Sequence, residues 1–288
     1  MRLDGRRQSS NIDDRRGSSG VAGKAGVGLG GLIIIGIITL LLGGDPTEVI
    51  QQAGELMGET SSVNYQPTQE EEELAVFASQ ILAGTEDVWT DIFKQMGKTY
   101  IPPKLVLFSG SVQSGCGGAT SSSGPFYCSA DQCVYLDLSF FTSMKKEIGA
   151  DGDFAYAYVI AHEVGHHVQY LLGTLGAAHQ QMARYQSNSK QYNQISVRLE
   201  LQADFYAGVW AYHDNAKFRS LEEGDIDEGL TVASKIGDDY LQKQAYGYSV
   251  PDSFNHGTSA QRSKWLKKGI NCGDINQGDT FSINYNSL

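Results

Sequence analysis

The sequence predicts a helix-dominated α+β domain with a small sheet, and three features carry that prediction. Apolar residues recur at helical spacing through several long segments after residue 68, only two short runs have strand character, and Gly/Ser-rich stretches punctuate them. A chain of 288 residues can bury a substantial core around one main domain.

Residues 1–25 are polar, charged and rich in Gly and Ser, and are expected to form a disordered cytoplasmic tail. An uncharged stretch of mostly Gly, Leu and Ile follows, and 26–44 is expected to cross the bilayer as one transmembrane helix. Two other readings are a cleaved signal peptide and a buried core helix. A cleaved signal would end in small residues, whereas Leu42 stands third from the best break, after Gly44; a core helix would be amphipathic, and this stretch is apolar all round. Arg15, Arg16 and Lys24 on its flank would hold the N-terminus in the cytoplasm. The protein is thus expected to be a single-pass protein of the cytoplasmic (inner) membrane, with its domain on the periplasmic or extracellular side. Residues 45–67 read as a polar linker, and the folded domain is expected over 68–288.

Within that domain, Thr68 and Glu71 form a capping box for a first helix, and a second helix is expected from after Thr85 to near Gly97. The run 104–108 reads as a short buried strand, 109–124 as a Gly/Ser-rich loop, and the alternating run 134–138 as a half-exposed edge strand. Helices are expected over 151–172, 192–213, 225–243 and 259–268, the last capped by Thr258.

A net charge of -11 argues against a nucleic-acid partner, because phosphate binding needs clustered Lys and Arg. Residues 1–44 are nevertheless net basic, so the two parts of the chain are expected to face different surroundings. The four cysteines, Cys116, Cys128, Cys133 and Cys272, all fall after the apolar stretch, where disulfides survive. Of three possible connectivities, Cys116 with Cys128 and Cys133 with Cys272 is favoured. The short Gly/Ser-rich segment can loop back, and the second pair would pin the C-terminal tail. The spacing matches no familiar four-cysteine zinc ribbon.

The chemistry is concentrated in His162-Glu163-Val164-Gly165-His166, inside the helix expected over 151–172. His162 and His166 are four apart, project from one face and can grip a single ion, Zn²⁺ above all. Glu163, about 100° around the helix, is placed to act on water as a general base. His167 is set off from the pair and is not expected to bind. Chance is a poor explanation, since three of the six histidines fall within six residues. A catalytic zinc takes a third protein ligand, and Glu200 offers one on an apolar-rich helix, with Asp204 one turn on to orient a ligand histidine. An oxyanion donor is sought among His256, His213 and Tyr135, with His256 preferred because it precedes the capped helix at Thr258. The strand around Tyr135 could hold an extended peptide.

Together with the stretches 5–16, 124–128, 134–137, 162–169, 200–204 and 256–262, these residues resemble the bacterial neutral zinc metallopeptidases over nearly the whole chain. The resemblance implies a gluzincin-like site with His162, His166 and Glu200 on zinc and Glu163 as the catalytic carboxylate. It departs at 273–281, where a cysteine would be looked for near Gly278 and Cys272 stands nearby instead. The function expected is a membrane-anchored endopeptidase acting on proteins or peptides outside the cytoplasmic membrane. The alternative is a catalytically weak or inactive zinc-fold scaffold that binds an envelope protein partner.

Overall fold

The computed structural model describes residues 1–17 and 65–288. The chain forms β1 (Ile12–Asp14), α1 (Gln69–Gln95), β2 (Lys104–Phe108), β3 (Ser111–Ser114), β4 (Gly117–Thr120), β5 (Phe126–Cys128) and β6 (Cys133–Asp137). It continues with α2 (Ser139–Ile148), α3 (Asp153–Leu172), α4 (Thr174–Met182), α5 (Lys190–Phe218), α6 (Asp225–Lys235), α7 (Asp238–Tyr246) and α8 (Ser259–Cys272). One sheet runs β1-β2-β6-β5, with β1, β2 and β6 parallel and β5 antiparallel; β3 and β4 form a separate hairpin. The helix α5 packs against both α3 and α8 at the centre of the main core, with α6 also against α3 and α8. The expected helix-dominated α+β class with a small sheet holds.

Several elements differ from expectation for identifiable reasons. α1 is continuous where two helices were expected: Thr85 turns its hydroxyl onto Leu82 O at 2.7 Å and leaves the backbone helical. The run expected over 134–138 falls in β6, an interior strand, and the edges are β5 and β1. Its alternation separates two cores, since Val134 and Leu136 join the main core while Cys133 and Tyr135 join a smaller cluster with Val106 and Phe108. The expected loop 109–124 contains the β3–β4 hairpin, and the expected helix 225–243 is broken into α6 and α7.

The expected disordered tail needs a larger correction. Residues 1–17 are built into the domain, so the folded unit does not begin at 68. β1 adds to the free edge of β2, with Leu105 N donating to Asn11 O at 2.9 Å and Arg15 N to Leu107 O at 2.8 Å. Arg6 grips Asp214 on α5, Nη2 to Oδ1 at 2.7 Å, and its guanidinium lies 3.7 Å over the Phe218 ring. The pair crosses α1 at Gly84, where a Cβ would fall 2.8 Å from Arg6 Nη2 and 2.9 Å from Asp214 Oδ1. Buried Glu86 meets Arg7 at 2.9 Å and Asn11 at 2.7 Å. The charges that suggested a solvated tail are thus the groups that fasten it. Arg6→Ala strands Asp214 inside the fold and is expected to cost about 3–5 kcal/mol, measured by urea unfolding.

The expected membrane helix 26–44 and nearly all of the linker 45–67 lie outside the described residues. Among the described residues, no helix is long and apolar enough to cross a membrane. Gly17 and Tyr65, the two ends of the described segments, are in contact; a Cβ on Gly17 would fall 2.6 Å from Tyr65 Cβ.

The Cys116–Cys128 disulfide forms as expected and ties the β3–β4 turn to β5. The Cys133–Cys272 bridge does not, and both thiols are free. Cys133 is buried opposite Cys128 in the small cluster, whereas Cys272 closes α8 against the main core.

Candidate metal centre and its cleft

Tyr158, Val159, His162, Glu163 and His166 recur at helical spacing on one face of α3 and line a cleft of about 600 Å³. α5 crosses this helix so closely that a Cβ on Gly165 would fall 2.9 Å from Ala203 O. Glycine inside the histidine motif is thus what lets Glu200 reach both imidazoles. His162 Nε2 lies 3.2 Å from Glu200 Oε2, and His166 Nε2 3.5 Å from Glu200 Oε1. Donor atoms of the three residues fall within 4.8 Å of one another.

A second layer holds these groups in place. Asp204 Oδ1 lies 2.8 Å from His162 Nδ1, off the ideal line of a hydrogen bond, and receives Tyr158 Oη–H at 2.6 Å. Arg262 on α8 forks onto both Asp204 oxygens at 2.9 Å and is 2% exposed. His166 Nδ1 meets Gln169 Oε1 at 2.9 Å, and Gln169 Nε2 donates to Leu199 O at 2.7 Å and Gln202 Oε1 at 3.1 Å. Sequence reasoning placed Asp204 but assigned no role to Tyr158, Arg262, Gln169 or Gln202. Their polar side chains on otherwise apolar helix faces were the available signal.

Burial raises the Glu163 carboxyl to about 7, with Glu200 adding to the rise and His162, Arg262 and the Tyr127 backbone opposing it. Burial alone would lower the His162 imidazole, but Asp204 and Glu200 raise it to about 10 in the metal-free protein. Burial takes His166 down to about 4. It would also raise Glu200, yet the two imidazoles hold that carboxylate well below its ordinary range. Glu200 is thus an anion seated between two imidazole nitrogens.

His256 lines the same cleft and is 4% exposed. Asp238 at the start of α7 accepts the N–H groups of Asn255, His256 and Gly257 at 2.7–3.0 Å and contacts His256 Nδ1 at 3.2 Å. Burial would lower the His256 imidazole; Asp238 overcomes this and raises it. The other two oxyanion candidates lie apart from the cleft lining. His213 Nε2 meets Gly273 O at 2.8 Å, and Tyr135 donates to Asp131 at 2.7 Å. His167 spends both nitrogens on Tyr127 Oη and Ile101 O, as suits a residue outside the metal set.

Two nitrogens and a carboxylate oxygen from a His-Glu-x-x-His helix and its neighbour converge here, a donor set that suits zinc. The chain belongs to the family described as "Putative neutral zinc metallopeptidase", which matches residues 1–281. It is 48% identical to the protein YpfJ of Escherichia coli (strain K12), covering 98% of this chain and 99% of that one. It is 44% identical to Rv2575 of Mycobacterium tuberculosis (strain ATCC 25618 / H37Rv), covering 66% of each chain. No solved structure matches.

Proposed function

We propose that the protein is a zinc-dependent endopeptidase in which His162, His166 and Glu200 hold the metal and Glu163 is the general base. The convergence of three ligand atoms beside Glu163 in one cleft carries this reading. Bound there, zinc supplies Lewis acidity that polarises the scissile carbonyl and acidifies water. Glu163 takes a proton from water at its carboxylate and returns it to the leaving amine. Asp204 orients His162, and Arg262 and Tyr158 hold Asp204. His256, with Nδ1 engaged by Asp238, presents Nε2 as the donor for the oxyanion. The outer edge of β5, whose Tyr127 borders the cleft together with the preceding Pro125, is suited to pair with an extended peptide backbone.

Elemental analysis after dialysis against trace zinc tests the ligand set. One equivalent is expected for the wild type and a large loss for His162→Ala and Glu200→Ala. Unchanged zinc in both variants would remove these residues from the metal.

The Cys116–Cys128 disulfide supports a location outside the cytoplasm. Because β1 pairs with β2, our reading is that any membrane attachment through residues 26–44 returns the chain to the side it left. Ser10→Cys and Glu147→Cys are therefore expected to react alike with a membrane-impermeant thiol reagent on intact cells. Labelling on opposite faces would contradict this.

A further inference from the structure

The cleft extends beyond the metal centre at both ends along α3. Val159 precedes His162 on the cleft face, with Phe140 and Met144 of α2 beside it. Past His166 the lining passes to Leu175 and Met182 of α4 and Tyr192 of α5. Val159 and His166 are seven positions apart, about 10 Å of helix at 1.5 Å per residue, so an apolar wall stands on each side of the ligand cluster. The walls belong to separate apolar clusters, one holding Met144 and Val159 and the other Leu175 and Met182.

Charge is almost absent from this surface. Among the described residues, the cleft is lined by Glu163, Glu200 and Arg262 and by no other Lys, Arg, Asp or Glu. Glu200 faces the two imidazoles and Arg262 is spent on Asp204. A charged substrate side chain at either end would lose its hydration with no counter-charge to replace it. A volume of about 600 Å³ is ample for a peptide segment with more than one large side chain.

Resting on the peptidase reading, we infer that the cleft selects peptides with bulky apolar side chains on both sides of the scissile bond. One side chain seats at Phe140, Met144 and Val159, the other at Leu175, Met182 and Tyr192. Neighbouring bulky apolar residues are buried in folded proteins, so the substrate is an unfolded or extended apolar segment.

The test is a quenched-peptide library varied at the two positions flanking the cleaved bond, given to the zinc-loaded protein. Leu, Phe or Met at both positions is expected to exceed Glu or Lys by about 10-fold or more in kcat/KM. Phe140→Lys and Tyr192→Lys, both at half-buried positions, are each expected to raise acceptance of Glu on one side only, and on opposite sides. A preference for charged residues, or both variants acting at the same position, would overturn the inference. Binding is measured separately by fluorescence anisotropy of labelled apolar and Glu-substituted peptides on zinc-loaded Glu163→Gln. Apolar peptides are expected to bind about 10-fold tighter or better, and equal affinity would overturn the inference. Selective apolar binding without cleavage by the wild type would instead sink the peptidase reading and leave apolar recognition standing.

Discussion

Glu163→Gln is expected to lower kcat on the order of 10³-fold while leaving zinc content and the unfolding midpoint close to wild type. The amide matches the carboxyl in shape and adds no charge to a site that is 8% exposed. The ligand atoms on His162, His166 and Glu200 are untouched by the change. What disappears is an oxygen able to take a proton from water and hand it on. Steady-state kinetics with parallel metal analysis reads both quantities. A variant that loses zinc along with turnover would show Glu163 to be a structural support for the centre.

The second large effect is expected at Arg262. Arg262→Met keeps much of the volume but leaves Asp204, which is fully buried, without its cationic partner, and breaks the fork that holds it. Removing one member of a buried pair costs about 3–5 kcal/mol, read in urea. Asp204 would then orient His162 less firmly, so zinc affinity is expected to fall about 10–100-fold in a competitive chelator titration. Arg262→Lys should restore charge without the two-pronged geometry and recover only part of either loss. Full recovery by Lys would mean that charge alone matters at this position.

The convergence of His162, His166 and Glu200 was legible in the sequence because its logic is local. His162 with His166, and Glu200 with Asp204, sit one turn apart on helices whose apolar periodicity is strong, so shared faces follow from spacing. What holds those pairs is not local. Arg262 reaches Asp204 from 58 residues away, and Gln202 is fixed by Gly278 O 76 residues on. The same limit hid the N-terminal segment. Arg6 and Arg7 read as solvated charges until Asp214 and Glu86 are brought beside them by α5 and α1. Short elements were lost for another reason: α2 and α4 have 10 and 9 residues, too few turns for periodicity to emerge. In β6, alternation between two cores imitates alternation between core and water.

Hydrolysis of a peptide bond by the zinc-loaded wild type is the most direct measurement. Incubation with unfolded casein, followed by mass analysis of the fragments, should show internal cleavage that a chelator abolishes and one equivalent of zinc restores. Intact casein and an intact apolar peptide library, in the presence of protein carrying stoichiometric zinc, would contradict the assignment of this centre to peptide hydrolysis.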